Sequence, residues 1–228
     1  MKEYFQTLKY PSSIKEIAYE NIKKQIILGN IKPGSWLREQ ELADAMKISR
    51  APIREAFNQL ESEGFIKIIP RKGAKVISIS EKEVEDIFEI RETLESLAIQ
   101  KSLKNISLEK LNQIAIKFER FKSKPAEKQI RLEYLSLDKE FHDLLIQHCN
   151  NKMLINLLAI IQEKVHWLRG FSLDNYSFSQ SIEEHIAIID AIQRKNEKLI
   201  FSNLVRHLER ARESTINEIK AGKIGQIS

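Results

Sequence analysis

The sequence predicts a mostly α-helical chain built from two modules of different grammar, and three observations predict it. Helix breakers crowd the first third: Pro11, Pro33, Pro52 and Pro70, with Gly29, Gly34, Gly64 and Gly73. After residue 80 only Pro125 and Gly170 interrupt the chain before Gly222. Frequent breakers mean short elements and tight turns, and their absence means long helices. The charge divides at the same place. Residues 1–79 hold fourteen Lys/Arg against nine Asp/Glu, whereas residues 80–228 hold twenty-three of each, so the whole net charge of +5 belongs to the first module. A basic module beside a neutral one points to an anionic polymer as the partner of the first. The expected domains are 1–79 and 80–228.

In the first module, Ile14, Ile17, Ala18, Ile22, Ile26 and Ile27 recur at helical spacing, and Gly29 ends that helix. A short second helix is expected around Glu39–Met46, with Leu42, Ala43 and Met46 inward. Lys47-Ile48-Ser49 makes the turn into a third. Ser49 suits its N-cap, and Pro52 is tolerated in the first turn, where its missing N–H would have no intrahelical partner. Ile53, Ala56, Phe57 and Leu60 face inward, and Gly64 closes the helix. The period then changes: residues 65–69 and 74–78 are short and β-branched, joined by Pro70-Arg71-Lys72-Gly73 as a hairpin. Three helices and a basic-tipped hairpin make a winged helix-turn-helix.

That arrangement suits double-stranded DNA. A recognition helix enters the major groove with its N-terminal residues leading. Here that end carries Ser49 and Arg50, with Arg54 one turn on. Arginine pairs in a bidentate way with guanine or binds phosphate. Arg71 and Lys72 at the hairpin tip suit phosphate or the minor groove, and Gly73 allows a close backbone approach.

The second module opens on a capping box, Ser80 with Glu83. A long helix follows, with Val84, Ile87, Ile90, Leu94, Leu97 and Ala98 expected inward. Further helices are expected near 107–123, 126–149, 152–171, 178–194 and 197–220, with Ser177 and Gln180 as a second capping box. Six helices joined by short loops make an all-α antiparallel bundle. All five histidines lie in this half. Asp138 and His142 stand i, i+4 and share a helix face. With His185 and His207 from later helices they offer a ligand set for zinc, while nickel and manganese suit the same donor types. Spacing alone leaves an ordinary packing role open for each histidine.

Several classes are disfavoured. The chain has no run of apolar residues long enough to span a membrane and no signal pattern at its start, and the single cysteine, Cys149, fits a reducing cytoplasm. Enzyme activity is not expected: there is no nucleophile motif and no Gly-rich phosphate loop, and Glu184 beside His185 is the only neighbouring candidate for a general base.

Pro33-Gly34, Glu41-Leu42-Ala43, Ser49-Arg50-Ala51-Pro52-Ile53-Arg54-Glu55-Ala56, Leu60-Glu61, Glu63-Gly64 and Gly73-Ala74 together resemble the DNA-binding domain of GntR-type transcription regulators. The resemblance implies DNA contacts from Ser49, Arg50, Arg54 and the Arg71–Gly73 wing, with Gln40 a further candidate. Phe57 stands where members often carry leucine. Arg91 with Glu95, Asp138-Lys139-Glu140-Phe141-His142, Asn151, Glu184-His185 and His207 resemble the FadR-type (FCD) ligand-binding domain. That likeness implies a divalent metal on Asp138, His142, His185 and His207, a small carboxylate effector on the metal, and a homodimer on a palindromic operator. Arg91 either pairs with a second carboxylate of the effector or forms an ion pair with Glu95, and Asn151 is read as a helix cap. His148 and His166 fall outside the metal pattern. The expected function is a transcription regulator, a repressor by default, controlled by an organic acid; the alternative is a regulator for which the metal is itself the signal.

Overall fold

A computed structural model of the chain describes residues 13–125, 127–172 and 175–222. It divides into two compact units, the first holding most of the residues up to Ile77 and the second starting at Ser78. No helix among the described residues is long and apolar enough to cross a membrane.

The first unit has three helices, α1 (Ile14–Ile27), α2 (Glu39–Met46) and α3 (Arg50–Ser62), and three strands, β1 (Trp36–Leu37), β2 (Ile66–Ile69) and β3 (Gly73–Val76). Ala18, Ile22, Ile26, Ile53, Ala56, Phe57, Leu60 and Phe65 form its core, whereas Ile14 and Ile17 are exposed. The helix-turn-helix corner is made by Lys47, left-handed at φ 54°, with the Ile48 amide returning to the Ala43 carbonyl at 3.0 Å. Ser49 holds the N-cap position of α3, but its side chain makes no capping bond. The sheet runs β1-β3-β2, all antiparallel, with Leu37 opposite Ala74 and Ile69 opposite Gly73.

The wing turn is Ile69-Pro70-Arg71-Lys72, closed by the Lys72 amide on the Ile69 carbonyl at 3.0 Å. Proline sets its second position. Arg71 occupies the third at φ 66°, where glycine or asparagine is usual. The close approach at Gly73 is made to the chain's own backbone. A Cβ there would lie 2.5 Å from the Leu37 carbonyl oxygen, and φ is +106°.

The second unit is all helical: α4 (Glu81–Ser102), α5 (Leu108–Lys122), α6 (Lys128–Ile146), α7 (Lys152–Ser172), α8 (Asn175–Gln193) and α9 (Glu197–Lys220). Ser80 and Glu83 form the expected capping box, and Asn151 caps α7 through the Leu154 amide at 3.1 Å. Helix α8 starts at Asn175, ahead of Ser177, whose side chain lies outside the described residues.

The buried face of α4 differs from the expected one. Ile90 and Leu97 are 51% and 40% exposed, while Val84, Phe88, Arg91, Glu95, Ala98 and Ile99 are buried. The helix is turned so that an ion pair points inward. That is tolerable because Arg91 and Glu95 satisfy one another at 2.9 Å, and Glu95 has a further partner below. Helix α7 packs against α4, and it too leaves apolar residues outside: Met153, Leu157 and Ile160 are 75%, 46% and 53% exposed.

Candidate metal centre and nucleic-acid interface

Four helices bring the histidine cluster together. Tyr134, Asp138 and His142 stand on α6 at successive turns, His185 on α8, His207 on α9, and Glu95 on α4. Asp138, His142, His185 and His207 are all buried, and one ligand atom from each lies within 4.8 Å of the others.

Each histidine is anchored through Nδ1. His142 Nδ1 meets Glu95 Oε1, His207 Nδ1 lies 2.9 Å from Glu184 Oε2, and His185 Nδ1 lies 3.0 Å from the Tyr134 hydroxyl. Both glutamates are themselves held by arginine: Arg91 Nε on Glu95 at 2.9 Å, and Arg210 Nε on Glu184 at 2.7 Å. Burial alone would raise the Glu95 pKa, but His142 and Arg91 outweigh it and hold the carboxyl below its usual range. An ionised carboxylate only accepts, so His142 donates its Nδ1–H. Arg169 donates to Asp138 at 2.7 Å and to Ser181 Oγ at 3.0 Å. The Tyr134 hydroxyl gives its proton to the same Ser181 oxygen at 2.6 Å, and so takes one from His185 Nδ1.

The consequence is on the other side of each ring. Nε2 of His142, His185 and His207 is buried without a hydrogen-bond partner. His185 Nε2 lies 3.3 Å from Asp138 Oδ1, outside hydrogen-bond geometry. Burial pushes the pKa of His185 and His207 well below that of a free imidazole, so both rings are neutral. Burial would raise the Asp138 pKa, yet the Arg169 guanidinium beside it holds it well below the usual carboxylate range. The cluster therefore gathers unpartnered ring nitrogens and a carboxylate, a set suited to electron donation, in the buried interior of the bundle. Phe118 stacks on His185 at 4.7 Å and Phe141 meets it edge-on at 4.9 Å, so apolar rings cover this side of the imidazole. A buried acceptor without a donor costs free energy, and a cation relieves all of them at once.

Of the residues the sequence singled out, Arg91 is not at the surface: it is 1% exposed, paired with Glu95, and its Nη1 has no hydrogen-bond partner. His166 is half-buried with its pKa lowered by burial, and it lies outside the four-residue cluster. Sequence reasoning missed Glu95 and Glu184 as histidine anchors, and missed Tyr134, Arg169, Ser181 and Arg210 altogether. Glu184 follows the chain next to His185 but serves His207.

In the first unit a groove of about 500 Å³ lies between the recognition helix and the wing. Gln40, Arg50, Arg54, Arg71, Lys72 and Gly73 line it, and Ser49 does not. Gln40 is tied to Asp44 at 2.8 Å. Glu39, also on the groove wall, accepts from both Arg50 and Arg54.

Residues 14–76 match the family described as bacterial regulatory proteins, gntR family, and residues 86–210 match the FCD domain. The HTH-type transcriptional regulator YdhC of Bacillus subtilis (strain 168) is 29% identical over 206 residues, covering 90% of this chain and 92% of its own length. The HTH-type transcriptional repressor RspR of Escherichia coli (strain K12) is 26% identical over 197 residues, 86% of either chain. Among solved structures, E. coli McbR/YncC superposes with a TM-score of 0.76 at 19% identity, over 92% of this chain and all of its own, which speaks for the fold. With its gntR-type winged helix-turn-helix and an FCD domain over more than half its length, the chain belongs to the GntR family of transcription regulators, in the branch that carries an FCD domain.

Proposed function

We propose that this regulator holds a divalent metal on Asp138, His142, His185 and His207, and that a small carboxylate bound at that metal controls how tightly the protein grips its operator. In this reading residues 1–79 are the DNA-binding domain and 80–228 the effector-binding and dimerisation domain. The carrying observation is the set of three buried imidazoles, each fixed through Nδ1 and each with a bare Nε2. Imidazole and carboxylate ligands favour zinc, with nickel and manganese as the other fits. When bound, the metal supplies a Lewis-acidic centre that attracts an anion. Arg91 and Arg210 support a carboxylate effector, since Nη1 of the one and Nη2 of the other are buried donors without a partner.

On the DNA side, Arg50 and Arg54 enter the major groove, Arg71 and Lys72 bind the adjacent backbone or minor groove, and Gln40 and Ser49 add polar contacts. Gly73 serves the wing's shape. The protein acts as a homodimer on a palindromic site. The bare apolar faces of α4 and α7 support this, because a second copy of the chain would cover Ile90, Leu97, Leu157 and Ile160.

The test is elemental analysis of protein purified without a histidine tag, beside a His142→Ala/His207→Ala variant, followed by a screen of small carboxylates for thermal stabilisation. About one metal per chain, lost in the variant, is expected. No metal in the wild-type protein after loading with Zn²⁺ or Ni²⁺ would overturn the site. DNA binding that follows metal alone and ignores organic acids would make the metal the signal.

A further inference from the structure

Glu39, the first residue of α2, is bonded to both arginines that open α3. Arg54 gives it two N–H groups, Nε to Oε1 at 3.2 Å and Nη2 to Oε2 at 2.9 Å. Arg50 adds a third, Nη2 to Oε2 at 3.0 Å. The arginine side chains are 54% and 60% exposed for Arg50 and Arg54, while that of Glu39 is only 20% exposed. A largely covered anion thus holds two exposed cations on the wall of the groove between α3 and the wing.

We infer that Glu39 sets the base specificity of the recognition helix, by presenting Arg54 and Arg50 edge-on to guanine while repelling DNA phosphate. The inference rests on the reading of this groove as the DNA face. Stability does not account for the arrangement, since exposed ion pairs add little to it.

Geometry does account for it. A guanidinium has five N–H donors in a rigid plane. Glu39 occupies the Nε/Nη2 edge of Arg54 and leaves the Nη1/Nη2 edge, whose two parallel N–H groups fit guanine O6 and N7. Arginine unrestrained would lose its rotamer freedom on docking; here the bonds to Glu39 already favour one placement of the Arg54 guanidinium in the unbound protein. The carboxylate stays charged, because its hydrogen bonds from Arg54 and Arg50 lower its pKa. A fixed negative charge on a DNA-facing wall weakens every sequence-independent phosphate contact. Only a site that offers the right base edges recovers the loss, which makes it a device for discrimination rather than affinity.

The experiment uses the full-length protein. A randomised duplex pool is selected on the wild type, and the winning duplex and calf-thymus DNA are then titrated with wild type, Glu39→Gln and Arg54→Ala. Glu39→Gln is expected to bind the selected duplex at least ~10-fold more weakly, to bind calf-thymus DNA more tightly, and to show a salt dependence steeper by about one unit, as for one less repulsive charge. Selection repeated on Glu39→Gln is expected to lose guanine preference at the positions fixed by the wild type. Equal tightening on both DNAs, with the ratio unchanged, would make Glu39 a mere charge and overturn the inference. Arg54→Ala binding the selected duplex as well as wild type is a separate result: it removes the DNA face itself.

Discussion

Arg169 donates to Asp138 at 2.7 Å, with the side chains only 3% and 8% exposed. The same guanidinium reaches Ser181, which accepts from Tyr134, which in turn receives His185. Two of the four candidate ligands are therefore joined by one chain of hydrogen bonds across α6, α7 and α8. Arg169→Met leaves Asp138 as a buried charge without its main counter-ion. Denaturant unfolding of the metal-free protein should show a loss of ~3–5 kcal/mol, the scale for breaking a buried pair. Zn²⁺ should stabilise the variant more than the wild type, since the metal replaces the missing positive charge. A variant as stable as wild type without metal would contradict the assignment.

Glu184→Gln keeps the size of the side chain that anchors His207 and removes its charge. Metal affinity should fall ~10–100-fold, the usual effect of losing such an anchor, while helix content stays unchanged. Tyr134→Phe should act in the same direction through His185. Competition with a chromogenic chelator measures both; affinity equal to wild type in both variants would mean that the metal is not held through these rings.

Acid should destabilise the metal-free bundle. Burial holds His185 and His207 neutral at pH values where an unfolded imidazole, with a pKa near 6.5, takes up a proton. The unfolded state then binds more protons, so stability present above that pH is lost as the pH falls through it. Each of these histidines contributes up to ~1.4 kcal/mol per pH unit. Thermal scans of chelator-treated protein from pH 7.5 to 5.5 should show a falling midpoint, and His207→Asn should flatten the slope. A midpoint independent of pH in that window would sink the argument.

The wing separates shape from contact. Gly73→Ala places a methyl group 2.5 Å from the Leu37 carbonyl oxygen at φ +106°, so β1 must move off β3. A loss of ~1–3 kcal/mol is expected from the backbone strain alone. Arg71→Gly should do the reverse to the fold, relieving ~1 kcal/mol of left-handed strain while weakening DNA binding. Unfolding and DNA titration on the same samples distinguish the two; Arg71→Gly with undiminished DNA affinity would remove Arg71 from the interface.

Leu97→Glu and Leu157→Glu put charge on the exposed faces of α4 and α7. Light scattering should report monomers in place of dimers, with metal content unchanged. A dimer that survives both substitutions would place the contact elsewhere.

What the sequence made legible follows from range. Helical periodicity revealed α1 to α9, the change of period revealed β2 and β3, and the four-residue spacing of Asp138 and His142 put them on one face of α6. Strand β1 is two residues long, too short for any periodicity, and exists only because β3 offers it an edge. The anchors of the histidines were hidden for a different reason. Glu95 lies 47 positions from His142, Tyr134 51 from His185 and Arg169 31 from Asp138, so only tertiary packing creates these pairs. The α4 face was misjudged because hydrophobicity alone places Ile90 and Leu97 inside. The i, i+4 spacing of Arg91 and Glu95 was the visible sign that this helix could bury a neutralised pair instead.

Helix α4 carries Arg91 and Glu95 on one side and Ile90 and Leu97 on the other, along 22 residues without a proline or a glycine. A rod so uninterrupted has no hinge at which to absorb a disturbance. A shift of Glu95, which His142 holds from α6, would therefore have to be shared by the opposite flank of the same helix, where Ile90 and Leu97 stand.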